Sequence, residues 1–360
     1  MIPQFKVKMS TNSIDLVGQV LQSGFVGQGE QVEIFEDKLQ KIIGNGITRP
    51  VTVNSCTSAI DLALHLCDVG VDDEVISTPQ TCFASNIGMI HRKAKIRWAD
   101  IDPFTGLIDP ESVKKLITNK TKAIVAVNWA GKFCDFKTLK SFGVPVIEDA
   151  AHTWDSFIDK NLIERGDYIA YSFQAIKFLT TGDGGVLICP TKEKEKNARI
   201  LRWYGLDRTK GQNFRCTQNI TMPGFKYHMN DINASIGISN IDEAHQSVLL
   251  HRKNSKFIID NVSNPLLILP EYDEFCSYWL FSMHILDNKK EDFIQYLSKN
   301  DIASSPVHYR NDLYSCTEKY KEDILPGVTS FDKTQICIPN GWWLSQDELE
   351  KIVTVLNQYK

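Results

Sequence analysis

The chain has 360 residues, of which 42% are hydrophobic and 23% are charged, and its formal net charge is −4. This composition is typical of a globular protein with about two domains. The slightly negative charge argues against a nucleic-acid-binding protein, which would present a basic surface. No run of about 18 apolar residues occurs, so the sequence predicts no membrane span.

Targeting signals and cysteine usage both favour the cytoplasm. The first residues, MIPQFKVKMS, lack the apolar centre of a secretory signal peptide. The nine cysteines are odd in number, and no two of them form a Cys-x-x-Cys pair. The sequence therefore supports neither a disulfide framework nor a zinc site, and it predicts a cytoplasmic protein with reduced thiols and no bound metal.

From about residue 49, short apolar runs alternate with amphipathic segments. We predict strands at residues 51–54, 74–77, 96–99, 123–127, 144–148, 168–173 and 185–189. We predict helices at residues 58–67, 86–92, 110–117, 192–203, 230–249, 290–300 and 345–358. Because the strands are apolar throughout and alternate with helices, the sequence predicts an α/β fold whose mostly parallel sheet is covered by helices on both faces.

The C-terminal part of the chain is organised differently. After about residue 250 the strands are short and only two helices are predicted, which is typical of a smaller α+β domain. We therefore expect a large domain at residues 1–249 and a small domain at residues 250–360. No linker-like segment separates them, so the two domains are expected to pack closely.

Polar residues that could bind a ligand or take part in catalysis follow three of the predicted strands. They lie at the sheet edge where α/β folds bind ligands. The sequence SCTS at residues 55–58 opens a helix, where hydroxyl groups and free amides suit a phosphate, although Ser and Thr are also ordinary helix caps. Asp149 follows a buried strand and needs either a cationic ligand or a structural salt bridge. Lys177 has apolar neighbours, so it is either a nucleophile with a lowered pKa or a lysine whose stem covers the core.

Together these three groups favour pyridoxal phosphate as a cofactor. A lysine bonds to the cofactor aldehyde, an acid keeps the pyridine nitrogen protonated, and a helix end takes the phosphate. Each signal is weak alone, whereas their order at successive ends of one sheet is much stronger.

The sequence resembles the DegT/StrS family of pyridoxal-phosphate-dependent nucleotide-sugar aminotransferases over nearly its whole length. The resemblance begins at SGFVGQGEQVEIFED (residues 23–37) and is most specific at VIEDAAH and GDYIAYSFQAIKFLTTGDGG. It extends to GFKYHMNDINASIGISNID (residues 224–242). The resemblance implies the fold type I of these enzymes, with a seven-stranded, mostly parallel sheet between helices and a smaller C-terminal α+β domain.

The resemblance also implies roles for residues around the cofactor. Lys177 matches the lysine that bonds to the cofactor and moves the proton, and Asp149 matches the acid on the pyridine nitrogen. His152 matches the residue beside the phenolic oxygen of the ring. Three residues match the phosphate site: Thr57, Ser58 and Ser172. Because the lysine is present, the dehydratase branch of the family, which has histidine there, is disfavoured.

Three departures from the family pattern concern the surroundings of the cofactor and the substrate. Cys82 occupies the place of the aromatic residue that stacks on the ring, so either Phe83 stacks instead or a thinner group covers the ring. Lys226 replaces an asparagine and would reach the phosphate from the partner subunit of a homodimer. Tyr204 replaces a histidine of the sugar pocket. The resemblance places substrate contacts at Gln28, Tyr204, His308 and Tyr309.

The function implied by the resemblance is amino transfer from L-glutamate to a nucleotide-linked 4-keto-6-deoxy sugar, a step in deoxyamino sugar and glycan biosynthesis. One alternative places the ketone at carbon 3 of the sugar. Another is an inactive family member with a regulatory or interaction role, which the presence of Asp149, His152 and Lys177 disfavours. The nucleotide stays open among dTDP, GDP and UDP.

Overall fold

The computed structural model describes residues 1–154, 162–211, 213–286, 289–321 and 324–360. Its strands are β1 Val51–Val53, β2 Glu74–Ser77, β3 Lys95–Trp98, β4 Thr121–Val127, β5 Val146–Asp149, β6 Tyr168–Ser172, β7 Gly185–Ile188, β8 Leu267–Ile268, β9 Phe281–Ile285 and β10 Gln335–Ile338. Its helices are α1 Ser13–Ser23, α2 Glu30–Ile43, α3 Cys56–Leu66, α4 Ile87–His91, α5 Pro110–Leu116, α6 Phe136–Ser141, α7 Lys192–Leu201, α8 Phe214–Thr217, α9 Asp231–Asn261, α10 Lys290–Lys299, α11 Pro326–Thr334 and α12 Gln346–Gln358.

The first seven strands form one sheet in the order β1-β7-β6-β5-β4-β2-β3. Strand β7 pairs antiparallel with both β1 and β6, while the pairs β6-β5, β5-β4, β4-β2 and β2-β3 are parallel. The strands are almost entirely buried, as continuous apolar runs predict for a sheet covered on both faces. This sheet confirms the predicted α/β fold and its seven strands.

Strand β5 differs from its predicted bounds in a way that matters for the site. It was expected to start at residue 144, but it begins at Val146 because Pro145 has no N–H group for the sheet. Its last residue is Asp149, which pairs with Val127 on one side and Ala170 on the other. The acid therefore lies at the carboxyl end of a central strand rather than beyond it.

The C-terminal sheet is antiparallel, with the order β10-β9-β8, and it has its own apolar core. Helix α9, predicted to end at residue 249, continues to Asn261 because residues 238–261 contain no glycine or proline. The N-terminus joins this part of the chain, since Ile2 lies in the same core and its N–H donates to the Asp301 carbonyl. The domain boundary at residues 249 and 250 stays a prediction, and it falls within this helix.

All nine cysteines lie in the described part of the chain, and all nine carry free thiols. Within the same part, no helix is both long and apolar enough to cross a membrane. The described residues also contain no group of three or more histidine, cysteine, aspartate or glutamate side chains arranged to hold a metal ion.

Candidate active site

Lys177 lies in the connection between β6 and β7, at the carboxyl end of the sheet. The two strands pair antiparallel, so their ends fix the connection on both sides. Within it, the Phe173 N–H donates to the Gly184 carbonyl at 2.9 Å, and the Thr181 N–H donates to the Phe173 carbonyl at 3.0 Å. The lysine therefore projects from a backbone that is braced by the sheet.

Burial gives Lys177 the chemistry of a nucleophile. Removing the ammonium group from water lowers its pKa to about 8, although the nearby Asp149 carboxylate opposes this effect. With that pKa, about one lysine in ten is a neutral amine at pH 7. An ordinary surface lysine would be almost entirely protonated, so this position favours attack on an aldehyde.

The Asp149 carboxylate is only 4% exposed and is held in place by neutral donors. Its Oδ2 accepts a hydrogen bond from the Ser85 hydroxyl at 2.6 Å, and its Oδ1 accepts one from the Ala151 N–H at 3.0 Å. The Cys56 thiol lies 3.9 Å from Oδ1. Burial raises the pKa of Asp149, while Ser85, Ala151 and Lys177 act in the opposite direction.

This environment fits a cationic ligand group. No ammonium or guanidinium group of the described residues lies within 4.0 Å of the Asp149 carboxylate, so it differs from an ordinary buried salt bridge. A buried carboxylate without a cationic partner is costly, and a protonated pyridine nitrogen would supply that partner. Asp149 is therefore a candidate for the acid, and Lys177 for the lysine, of a pyridoxal phosphate site.

The residues predicted to bind phosphate lie at the amino-terminal end of α3. Ser55 caps the helix by accepting a hydrogen bond from the Ser58 N–H at 3.1 Å, and the Ser58 hydroxyl donates to Asn54 Oδ1 at 2.7 Å. Thr57 is half-buried in the first turn, where helix amides lack partners within the helix. This turn combines hydroxyl groups with a positive helix end, which suits a phosphate dianion.

The order of the strands places Ser172 two strands away from the end of β1, which precedes the α3 turn. It is paired with Gly185 of β7, and Gly185 is paired on its other side with Val53 of β1, immediately before the α3 turn. A Cβ atom on Gly185 would lie 2.6 Å from the Cys56 nitrogen, so only glycine allows β7 to pass this close. The register thus places Ser172 about 10 Å from Val53 across two strand spacings.

His152 lies in an aromatic cluster beside the lysine. Its ring stacks on Trp279 with centroids 4.1 Å apart, and it contacts the edge of Trp129 at 5.7 Å. Its Nδ1 is buried without a hydrogen-bond partner, and burial lowers the pKa of the ring well below its usual value. A neutral histidine with an unused ring nitrogen fits the predicted place beside the phenolic oxygen of the cofactor.

His308 joins this cluster by means of a strained turn. Val307 has a φ of 71°, and the His308 N–H donates to the Pro306 carbonyl at 2.9 Å across it, which makes a γ-turn. The turn brings the His308 ring within 6.0 Å of His152, and burial lowers its pKa to about 4. Tyr309, by contrast, is 56% exposed.

The structure bears on the open question of which residue faces the cofactor ring. The Phe83 ring contacts Tyr314 edge-on, with centroids 5.1 Å apart. The Cys82 thiol is exposed and lies close enough to Lys177 to influence the pKa of the lysine. This placement favours a thin covering group at Cys82, with Phe83 extending the wall toward Tyr314.

Gln28, Tyr204 and Lys226 lie on a different part of the surface. Arg208 donates to the Gln28 carbonyl at 3.0 Å, Tyr204 contacts the Trp203 ring at 4.9 Å, and Lys226 is bridged to Trp203 through the backbone. Within the described chain, none of the three makes a hydrogen bond, ion pair or ring contact with Lys177, Asp149 or His152.

Lys226 nevertheless adjoins the phosphate site of its own chain through the backbone. The Asn54 side-chain amide donates to the Lys226 carbonyl at 3.3 Å, and the Asn54 N–H donates to the Tyr227 carbonyl at 2.6 Å. The Lys226 side chain is exposed. The question of which chain's phosphate it serves thus becomes one for experiment.

Four residues of the site were missed in the sequence: Cys56, Ser85, Trp129 and Trp279. Cys56 and Ser85 lie inside motifs that were recognised, but small polar residues at helix starts are too common to stand out. Trp129 follows β4 at the same sheet edge as Asp149, which was a usable signal. Trp279 comes from a segment before β9, far along the chain, and no local pattern marks it.

Comparisons with known proteins identify the family of the chain. The DegT/DnrJ/EryC1/StrS aminotransferase family model matches residues 7–357. The structure of AtS13 from Actinomadura melliaura is 33% identical, with a TM-score of 0.93 and coverage of 100% of this chain and 99% of that one. The sugar aminotransferase CalS13 from Micromonospora echinospora is 29% identical, with a TM-score of 0.91 and complete coverage of both chains.

A curated relative points in the same direction. The spore coat polysaccharide biosynthesis protein SpsC of Bacillus subtilis is 28% identical over 365 residues, which cover 94% of this chain and 92% of that protein. Enzymes of the matched family use pyridoxal phosphate, and the groups required to hold it are present at Asp149, Lys177 and the α3 turn. The chain therefore belongs to the DegT/DnrJ/EryC1/StrS aminotransferase family and is a pyridoxal-phosphate-dependent sugar aminotransferase.

Proposed function

We propose that this enzyme transfers the amino group of L-glutamate to the keto carbon of a nucleotide-linked 4-keto-6-deoxy sugar in the cytoplasm. The observation that carries the proposal is the placement of Lys177, whose pKa is lowered to about 8, in electrostatic contact with Asp149 at the carboxyl end of the sheet. The names of CalS13, a sugar aminotransferase, and SpsC, a polysaccharide biosynthesis protein, support a sugar substrate and a product used in glycan synthesis.

Each residue of the site has a distinct task in this proposal. Pyridoxal phosphate, when bound, supplies an aldehyde that takes up the amino group and a ring that withdraws electrons. Asp149 would keep the ring nitrogen protonated, and His152 would offer its unused ring nitrogen to the phenolic oxygen. Thr57, Ser58 and Ser172 hold the phosphate.

Lys177 has two tasks, because transamination requires both a covalent anchor and a proton carrier. With pyridoxal phosphate bound, the neutral amine of Lys177 would be the group that anchors the cofactor, and as a free amine its Nζ would hold and move the proton beside the substrate. General acid–base groups work best when their pKa lies near the working pH, which a value of about 8 satisfies. As the family resemblance implies, Gln28, Tyr204, His308 and Tyr309 would contact the sugar. Of these, His308 contacts His152, whereas Gln28 and Tyr204 make no hydrogen bond, ion pair or ring contact with Lys177, Asp149 or His152 within the described chain.

A panel of sugar substrates tests this function. Purified enzyme is incubated with L-glutamate and with dTDP-, GDP- and UDP-linked sugars that carry the ketone at carbon 4 or carbon 3, and formation of 2-oxoglutarate and amino sugar is measured. We expect turnover with a 4-keto-6-deoxy sugar linked to one of the nucleotides. A preference for the 3-keto sugars would show that the enzyme acts on carbon 3 and would contradict the proposed 4-keto substrate. No turnover with any sugar, from protein that binds the cofactor, would contradict the proposed function.

The enzyme is proposed to work as a homodimer. Helix α1 and the residues after it expose large apolar side chains, including Ile14 at 79% and Phe25 at 82% exposed. Such a surface is typical of one that is covered by another protein chain. In a two-fold dimer each chain would offer Lys226 to the phosphate site of its partner, as the family resemblance implies.

Mixing two inactive variants tests the shared site. Lys177→Ala removes the covalent anchor, and Lys226→Glu places a negative charge near the phosphate. If Lys226 serves the partner, one site of the mixed dimer carries both changes and the other carries neither. We then expect activity to return to about a quarter of the wild-type level after random exchange of equal amounts.

The same experiment identifies the other arrangement. If Lys226 serves the phosphate of its own chain, next to Asn54, every mixed site keeps one lesion and no activity returns. Subunit exchange is confirmed independently by differently tagged chains. Exchange without recovered activity, or full activity in a monomer, contradicts the shared site.

A further inference from the structure

Trp279 connects the small C-terminal region to the reactive lysine. Its indole N–H donates to the Ile176 carbonyl at 3.0 Å, which fixes the ring against the residue immediately before Lys177. The ring is 4% exposed, and it stacks with Phe5 at 5.3 Å and with His152 at 4.1 Å. An indole with partners on its edge and around its ring has little freedom to move.

The side chain of the lysine lies over the same ring. Lys177 Nζ is 3.4 Å from the Trp279 centroid, which is well inside the range of cation–π contacts. Trp279 thus contacts both the backbone that carries the lysine and the amine itself. No other aromatic ring of the described residues makes a cation–π contact with Lys177.

We propose that Trp279 is a positioning residue, which holds the Lys177 amine over its ring whenever the lysine is not bonded to the cofactor. The inference rests on the proposed role of Lys177. In transamination the lysine would be displaced once, when the amino donor binds, and would stay free until the amino product leaves. A free amine on a flexible stem would otherwise sample many rotamers. A nearby π face keeps the amine within reach for proton transfer and for return to the aldehyde, which preserves the near-attack geometry.

The contact also affects the charge of the lysine. Burial favours the neutral amine, whereas the π face and the Asp149 carboxylate favour the ammonium form. The pKa of about 8 reflects burial opposed by Asp149, so loss of the π face shifts the balance further toward the neutral amine. The other titratable groups around the lysine or its pocket are Cys56, Cys82, His152, His308, His251, Lys6 and Lys8.

Two substitutions at residue 279 separate the π face from the hydrogen bond. Trp279→Leu removes both, and Trp279→Phe keeps an aromatic face while it removes the indole N–H. Cofactor-free protein is mixed with pyridoxal phosphate, and the rate at which the yellow band appears is measured between about pH 6 and pH 10. The pH dependence of this rate gives the apparent pKa of the Lys177 amine. The limiting rate at high pH shows how well the neutral amine is positioned for reaction.

We expect Trp279→Leu to lower the apparent pKa by about one unit and the limiting rate by at least about 10-fold. Trp279→Phe should give an intermediate pKa shift. A residue with a purely structural role would change the limiting rate without moving the pKa downward. An unchanged pKa and limiting rate in Trp279→Leu would overturn the proposal.

Fluorinated tryptophan provides a test that preserves the shape of the side chain. Biosynthetic replacement of tryptophan by its fluorinated forms weakens the π face, so the apparent pKa should fall as fluorine atoms are added. The chain has seven tryptophans, and the shift should disappear when residue 279 is phenylalanine. This comparison tests whether the π face of Trp279 affects the pKa of Lys177 even if Trp279→Leu fails to fold. Formation of the yellow band by Lys177→Ala would instead contradict the proposed role of the lysine.

Discussion

Replacement of Lys177 by alanine is expected to abolish turnover, with a loss of at least about 10³-fold in rate, because one residue supplies both the covalent anchor and the proton carrier. The variant should still bind the cofactor, since Asp149 and the α3 turn are intact. Its bound cofactor should lack the yellow band of the lysine adduct. Rate and absorption spectrum, measured on the same preparation, check both expectations.

Two controls show whether the loss is chemical. Lys177→Arg keeps a positive charge near Asp149 but cannot bond to the aldehyde, so it should be as inactive as Lys177→Ala. A small primary amine added to the alanine variant should restore part of the rate, because it can enter the space of the missing side chain. Wild-type turnover in Lys177→Ala would show that another residue carries the reaction.

Replacement of Asp149 by asparagine should slow the reaction by about 10²-fold or more, which corresponds to about 2.7 kcal/mol of barrier. A neutral amide no longer stabilises the protonated pyridine nitrogen, so the ring withdraws electrons less strongly. Burial raises the pKa of Asp149, which means that the fold disfavours its ionised form. The asparagine variant should therefore unfold at the same temperature as the wild type or at a higher one.

The neighbouring carboxylate provides a matched control. Glu148 is fully buried and forms an ion pair with Arg165 at 2.7 Å, with further hydrogen bonds from Gly166 and Asn128. Glu148→Gln breaks a buried ion pair, which costs about 3–5 kcal/mol of stability, but it leaves the charge at Asp149 unchanged. Rates near normal in Asp149→Asn, or equal effects of both substitutions on stability and rate, would make Asp149 a structural carboxylate.

The fold and the three principal site residues were predictable because their signals are local. Each buried strand of the large sheet is a continuous apolar run, and a polar residue directly after such a run lies at the ligand-binding edge. Asp149 is the last residue of β5, Lys177 lies in the connection after β6, and the α3 turn follows β1, so all three lie at this edge.

The aromatic residues around Lys177 were not predictable from local sequence patterns. Trp279 contacts Lys177 from a segment more distant in the chain. The family resemblance named His308, but its position beside His152 depends on a positive φ at Val307 that valine rarely adopts. A tryptophan before a strand is ordinary in sequence, and only the fold places it over an amine. Helix α9 is longer than predicted, because its buried positions continue at helical spacing past residue 249 through His251, Asn254 and Ile258.

Borohydride reduction of the cofactor-bound enzyme tests the central claim most directly. Reduction turns the bond between cofactor and lysine into a permanent secondary amine, and peptide mass analysis then locates the label. We predict that the wild-type enzyme is yellow, that reduction bleaches it, and that the label is on Lys177 alone. A label on another lysine would contradict the account. So would a protein that carries no label because the cofactor washes out after reduction.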